Sequence, residues 1–414
     1  QVPFEFWAHA SPEMVATWKI ILVVGMLITG TVNTLTKKFQ FQTCAQSISG
    51  HTGPGCLTHE EVFDKPWTQS LVMFVGEASV ISLFWRQLRQ SRALALLDDE
   101  PDLVRPPSPF RIFAIPAVCD ALATGLAGMG MLYVSAAVWQ MLRGSVIFFA
   151  SVFSVIFLKK QLFAFHWAAI SISVAGLTMV GLAALWDEGG PEKQNVGLGV
   201  LFIFLSQAFA AAQMVTEEIY VKSYDAPPSQ IVGSEGLWGV LYMAILLPIF
   251  FLFPGTDNGS YENFGDSLFK MARSPLPLDI FIVVYLVSIA FYNFFGVTVA
   301  GRLSAVHRTL IDALRTTVVW MVELVIFVIQ DGSGGACREK RGTCYGVPWA
   351  TYSWLQLLGF VFLLLGTLIY NSVIKVPGFR YPQDPKSFEG PADDGAVSLQ
   401  VPEGSPRLQG GLMS

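Results

Sequence analysis

Apolar residues along this chain do not alternate with polar ones. They come in long runs, and about ten stand out: Trp18–Leu35, Trp67–Gln87, Phe110–Leu132, Ala136–Leu158, Leu162–Trp186, Val196–Tyr220, Ile231–Phe253, Leu278–Val299, Ala305–Ile329 and Tyr352–Ile374. Each is near the roughly 20 residues that a helix needs to cross a bilayer. A helix on the surface of a soluble protein must carry a polar stripe, whereas a lipid-facing helix need not. The recurrence of such runs along the whole chain therefore predicts an all-α membrane protein of ten transmembrane helices rather than a soluble helical core. Composition agrees: 53% of residues are apolar and 14% charged, where about 25% charged is usual for a soluble protein. Trp18, Trp67, Trp167, Trp186 and Trp354 stand near run ends, where an amphipathic ring favours the headgroup zone as well as ordinary packing. The first run lacks a charged leader and a small-residue cleavage site, so it is expected to remain as the first helix.

Placing the amino terminus in the cytosol puts Arg89, Arg92 and Arg105 on the cytosolic side, with Arg86 and Arg111 at the edges of their loop and Lys159 and Lys160 on the same face. That matches the positive-inside tendency. Lys37, Lys38, Arg338, Lys340 and Arg341 are then non-cytosolic and oppose it. The sequon Asn258-Gly259-Ser260 falls on the non-cytosolic face, which makes Asn258 a glycosylation candidate. Cys44, Cys56, Cys337 and Cys344 fall there too, and an oxidising lumen would let Cys44 pair with Cys56 and Cys337 with Cys344. Cys119 lies within the third run and reads as a packed free thiol.

The polar segment Arg89–Pro109 reads as a flexible loop, and the Pro-, Gly- and Ser-rich tail as disordered. The predicted organisation is an N-terminal segment (1–17), two five-helix halves (18–186 and 196–374) and a disordered cytosolic tail (375–414). No phosphate-binding Gly-rich loop, metal-ligand spacing or nucleophile elbow occurs. Neither an enzyme nor a nucleic-acid partner is expected, and no cofactor or metal.

Polar residues inside the runs carry the functional signal, because a charge at membrane depth is costly and marks a wet interior or a partner. Arg143, in Gln140-Met141-Leu142-Arg143-Gly144, has a counterpart in Arg315, in Asp312-Ala313-Leu314-Arg315-Thr316, and this alignment also matches Ser151 with Glu323. Asn33-Thr34-Leu35-Thr36-Lys37-Lys38 matches Gln213-Met214-Val215-Thr216-Glu217-Glu218, with the charge pair reversed in sign. Val75-Gly76-Glu77 resembles Val232-Gly233-Ser234-Glu235, and Asp120 falls near the place of Tyr292 and Asn293. An odd number of helices per half inserts the second half the other way up, so the count predicts an inverted repeat.

These ordered motifs, with Gly233-Ser234-Glu235-Gly236-Leu237, Ser288-Ile289-Ala290-Phe291-Tyr292-Asn293-Phe294 and Thr29-Gly30-Thr31-Val32-Asn33-Thr34-Leu35, resemble the drug/metabolite transporter superfamily. Within it the chain is most similar to the member-six group of subfamily F of solute carrier family 35, itself related to the chloroquine-resistance-transporter-like proteins. The resemblance spans roughly Trp18–Ile374. It implies two five-helix halves, a central cavity, alternating access and a lysosomal or other endomembrane location, with mitochondrial and plasma membranes as alternatives.

The intramembrane charges bear on the solute. Acidic candidates are Glu77, Asp120, Glu217, Glu235, Asp312 and Glu323; basic ones are Arg143 and Arg315, with His307 and Arg308 nearer a helix end. Acidic groups exceed basic ones, and each arginine has a carboxylate available to it. Desolvated carboxyl groups hold protons and bind cations, so the expected cargo is a cationic or zwitterionic small molecule, with protons as the candidate coupling ion. A nucleotide-sugar antiporter would offer surplus Lys and Arg to phosphates; that carrier and a non-transporting membrane adaptor are the alternatives. The expected solute site comprises Asn33, Glu77, Asp120, Gln140, Arg143, Gln213, Glu217, Glu235, Tyr292, Asn293, Asp312 and Arg315. Plainer roles stand beside it. Asp312 and Arg315 form a local pair three residues apart, Glu217 and Glu218 sit near the surface with at least one solvated, Glu323 locks two helices, and Asn33 and Gln213 bond helices together. Gly125–Gly130 and Ala208–Ala212 read as close-packing stretches, and His166 as interfacial.

Overall fold

In a bilayer every backbone N–H and C=O must be satisfied within its own segment, so long apolar runs fold as helices. The computed structural model describes residues 12–50, 52–53, 56–97, 107–133, 142–188, 196–273, 276–332, 346, 348–379 and 381. The order is α1 (Pro12–Gln42), strands β1 (Cys44–Gln46) and β2 (Glu60–Val62), α2 (Pro66–Ser79), α3 (Ile81–Leu97), a 3-10 turn (Phe110–Phe113) and α4 (Ala114–Tyr133). Next come α5 (Ser145–Leu158), α6 (Ala164–Glu188), α7 (Val196–Ser223), α8 (Pro228–Leu252), β3 (Pro254–Asp257), α9 (Phe264–Ala272), α10 (Leu276–Arg302), α11 (Ala305–Gly332) and α12 (Ser353–Tyr370). Among the described residues, 8 helices are long and apolar enough to cross a membrane, with α2 and α3 counted as one. The apolar α5 is shorter, at 14 residues. The 28-residue α11 carries Arg308, Asp312, Arg315 and Glu323 along its length. The chain is a multi-pass membrane protein.

Apolar side chains such as Ile20, Ile28, Ile156, Val283 and Leu364 point outward, as lipid-facing surface requires. Helix α1 packs on α10 and α11, and α7 packs on α4 and α5. Three further contacts join α2 to α8, α6 to α12, and α5 to α11. The span made of α2 and α3 breaks at Val80, directly after Glu77 and beside two glycines of α8. A Cβ on Gly236 would stand 2.2 Å from the Ala78 nitrogen, and one on Gly233 2.5 Å from that of Ile81. Only the absence of side chains there lets the two backbones touch.

Segment Arg89–Pro109 departs from the expected loop. Helix α3 continues to Leu97, because Ala93, Leu94, Ala95, Leu96 and Leu97 are strong helix formers and the first proline comes only at Pro101. Helix α1 extends beyond the apolar run ending at Leu35 to Gln42 and so carries Lys37 and Lys38. Cys337, Cys344, Gln140 and most of the tail lie outside the described residues.

One membrane face carries a polar clasp between the loop of β1–β2 and the segment of β3–α9. Cys44 and Cys56 form a disulfide, and β1 pairs antiparallel with β2. Buried Lys65 binds Asp257 and Asp266, and Lys270 binds Asp266 at 3.1 Å and Glu61 at 3.2 Å. Glu262 accepts the Trp67 and Thr68 amides at 2.9 and 2.7 Å, filling the open N-terminus of α2. Burial alone would raise the Asp266 carboxyl, but the Ile48 amide, Lys65 and Lys270 outweigh it and hold it at about 2. Exposed Asn258 adjoins Asp257, so the disulfide and the sequon share this face.

Candidate functional site

Arg308, Asp312 and Arg315 occur at i, i+4 and i+7, one face of α11. Asp312 is the hub. Its Oδ1 accepts the Tyr292 hydroxyl at 2.6 Å and pairs with Arg315 at 2.9 Å, while its Oδ2 pairs with Arg143 at 3.3 Å. The two arginines that the sequence matches between halves thus share one carboxylate. Arg315 also stacks over the Tyr292 ring at 4.9 Å and donates to the Gly30 carbonyl at 3.4 Å. A Cβ on Gly30 would fall 2.7 Å from the Arg315 side chain, so a glycine is needed for α1 to approach. Beside Arg143, Gly144, Thr309 and Asp312 lies a cavity of about 20 Å³, room for about one water.

A second cluster adjoins the first. Glu217 is buried on α7 and pairs with Arg308; Gln213 and Glu235 also hydrogen-bond to it. Asn293 on α10 donates to Glu77. Asp120 meets Thr124 at 3.4 Å and lies within electrostatic reach of Glu77, Glu217, Glu235 and Lys37. Lys37 reaches both clusters, feeling Asp120 on one side and Arg143 on the other. Among the described residues, Asn33 Oδ1, Glu235 Oε1 and Arg308 Nε are buried without a hydrogen-bond partner. Such atoms mark where a water, ion or solute would be held.

Eleven of the expected site residues fall within the described residues, and these two clusters take in ten of them. Asn33 enters only through its buried, unpartnered oxygen. The expectation that at least one of Glu217 and Glu218 is solvated does not hold. Both are buried, at 1% and 0% exposure. Glu218 is held by Lys160, by Lys222 at 2.7 Å and by the Ala305 amide at 2.7 Å. A buried carboxylate persists only when cations and amides surround it, and the tertiary fold supplies them. Arg308 and Lys37 are the members that sequence reading left out. The signal for Arg308 was its spacing with Asp312 and Arg315; Lys37 had none beyond its match to Glu217. Asp312 and Arg315 do form the local pair, but Arg143, just before α5, joins it from far away in the chain. Glu323 does link two helices, binding Lys38 at 2.8 Å. Gly125 and Gly130 serve packing, against Trp67 and Ile203.

No protein-family model matches the chain. It is 34% identical over 362 residues to Solute carrier family 35 member F6 of Pongo abelii, covering 86% of this chain and 89% of that protein. The member F6 protein of Homo sapiens is 33% identical over 363 residues, with the same coverage. The chain belongs to solute carrier family 35, subfamily F. An uncharacterized protein of Schizosaccharomyces pombe is 28% identical to this subfamily F chain over 362 residues, covering 86% of it and 99% of the yeast protein. One crystal structure overlays at a TM-score of 0.48 and 12% identity, covering 84% of this chain and 97% of that one, too loosely to inform the fold.

Proposed function

We propose that this subfamily F protein is a secondary-active transporter that moves a small cationic or zwitterionic metabolite across an endomembrane by alternating access, with protons as the coupling ion. The observation that carries the reading is the charge inventory at membrane depth. Glu77, Asp120, Glu217 and Glu235 gather around Arg308 and Lys37, so acids exceed bases four to two in this cluster, and five to four when Asp312, Arg143 and Arg315 are added. In a low-dielectric interior that surplus attracts a cation or a proton. Arg143 and Arg315 are already engaged by Asp312, which disfavours a phosphate-rich cargo. A scaffold or adaptor has no use for unpartnered atoms at such depth.

Ten spans are counted when α5 and α11 are included: α1, α2–α3, α4, α5 and α6 in one half, and α7, α8, α10, α11 and α12 in the other. Exchanging each helix for its counterpart turns the α1–α10 contact into α7–α4, and α1–α11 into α7–α5. It returns α2–α8, α5–α11 and α6–α12 to themselves. That pattern supports an inverted repeat over 18–186 and 196–374, whose halves would rock about the central clusters. With the amino terminus cytosolic, the clasp face is lumenal, which agrees with a disulfide and a glycosylation site at Asn258. Lysosomal residence rests on the family resemblance.

Uptake into proteoliposomes tests the cargo class. Organic cations and zwitterionic metabolites are expected to enter, and nucleotide sugars to be refused. Uptake of nucleotide sugars alone would reverse the assignment.

A further inference from the structure

The reversal of charge between Lys37-Lys38 and Glu217-Glu218 has a structural counterpart. Lys38 and Glu218 occupy matching positions near the ends of α1 and α7, the first helices of the two halves. Lys38 reaches across to Glu323 on α11 at 2.8 Å. Glu218 reaches across to Lys160, which follows the end of α5. Helices α5 and α11 hold the fourth place in their halves, so the two ion pairs join equivalent helices with opposite polarity. The registers differ: on the arginine alignment Glu323 matches Ser151, nine residues before Lys160.

The pairs also meet one helix, α11, at well-separated points. The amide of Ala305, at the start of α11, donates to Glu218, and Glu323 lies eighteen residues on, about 27 Å along a helix axis. That is close to the thickness of a hydrocarbon core, about 30 Å. Arg308, Asp312 and Arg315 lie between them. One ion pair therefore stands on each side of this stretch of α11, and each joins the first five spans to the last five.

We propose that Lys38–Glu323 and Lys160–Glu218 are paired gate latches, one at each membrane face, and that one opens while the other holds. The inference rests on the alternating-access reading above. Opening the Lys160 latch leaves no carboxylate stranded, because Lys222 and the Ala305 amide still hold Glu218. At the other face, Lys38 is partly exposed, so water takes over its charge when it parts from Glu323. Each pair is weak enough to break in a transport cycle and specific enough to bias which face is closed.

The test reads access rather than transport. Thr316, in the wall of the cavity beside Arg143, is replaced by Cys in a full-length chain whose Cys119, Cys337 and Cys344 are changed to Ser. An impermeant maleimide is presented to sealed vesicles from either side. K38Q is expected to raise labelling from the clasp face about two- to fivefold, the weight of one partly exposed ion pair, and to lower it from the other. K160Q is expected to do the reverse, and the exchange K38E with E323K to restore the original pattern. Changes of the same sign from the same face in both variants, or no change in either, would overturn the latches. Failure of the exchange to restore the pattern, with the protein correctly inserted, would count equally against them. Since no solute is needed, mirrored labelling without any measurable transport would sink the transport reading and keep the latches. Transport without mirrored labelling would do the opposite.

Discussion

Asp312 receives two guanidinium groups and a phenol, and the three come from different helices. The consequences of removing each donor differ. Arg315 is 4% exposed and bound on both sides, so Arg315→Ala breaks a buried pair and should cost about 3–5 kcal/mol. Arg143 is half-buried, so Arg143→Ala should unfold the protein less readily. Both variants are expected to abolish transport. Thermal unfolding in detergent beside proteoliposome uptake separates the two effects, and normal uptake by either variant would remove that arginine from the solute site. The clasp offers a pH test at the same scale. Asp266 sits at about 2 against an ordinary 3.8. A depressed carboxyl contributes its full stabilisation above pH 3.8 and loses it as pH falls toward 2. Asp266→Asn should therefore cost about 2 kcal/mol at neutral pH, and the difference from the natural protein should shrink below about pH 4. A penalty unchanged down to pH 2 would show that the Asp266 charge contributes nothing.

Among the elements, the break between α2 and α3 depends on two glycines of α8. Gly236→Ala would drive a methyl to 2.2 Å from the Ala78 nitrogen, which should cost about 1–3 kcal/mol by overpacking and displace the neighbouring Glu77. A denaturation curve matching the natural protein would contradict that contact. Helix boundaries and the inward polar residues were largely legible in the sequence, because an apolar run of membrane length admits few other readings. Asn33–Lys38 and Gln213–Glu218 were legible as a matched set for the same reason: polar residues inside such runs stand out. What the pattern concealed was partnership. Arg308 lies at a helix start in sequence, and only folding brings it against Glu217 on α7. Glu218 looked like a surface residue because Lys160 and the Ala305 amide, which help to bury it, lie far from it in sequence. The apolar run stops at Leu35, so the extension of α1 to Gln42 was legible only through the match of Asn33–Lys38 with the later helix.

For the whole molecule, the proposed proton coupling rests on the surplus of carboxyl groups around Arg308 and Lys37. The most direct measurement is solute accumulation in proteoliposomes with and without an imposed pH gradient, for the natural protein and for Glu77→Gln, Asp120→Asn, Glu217→Gln and Glu235→Gln. The account predicts uphill accumulation that collapses with the gradient. It predicts at least one neutral variant that loses accumulation yet still exchanges labelled solute, because its site alternates without carrying the proton. Equal accumulation by the natural protein after the gradient is dissipated would contradict proton coupling and leave these carboxyl groups as cation ligands or structural partners.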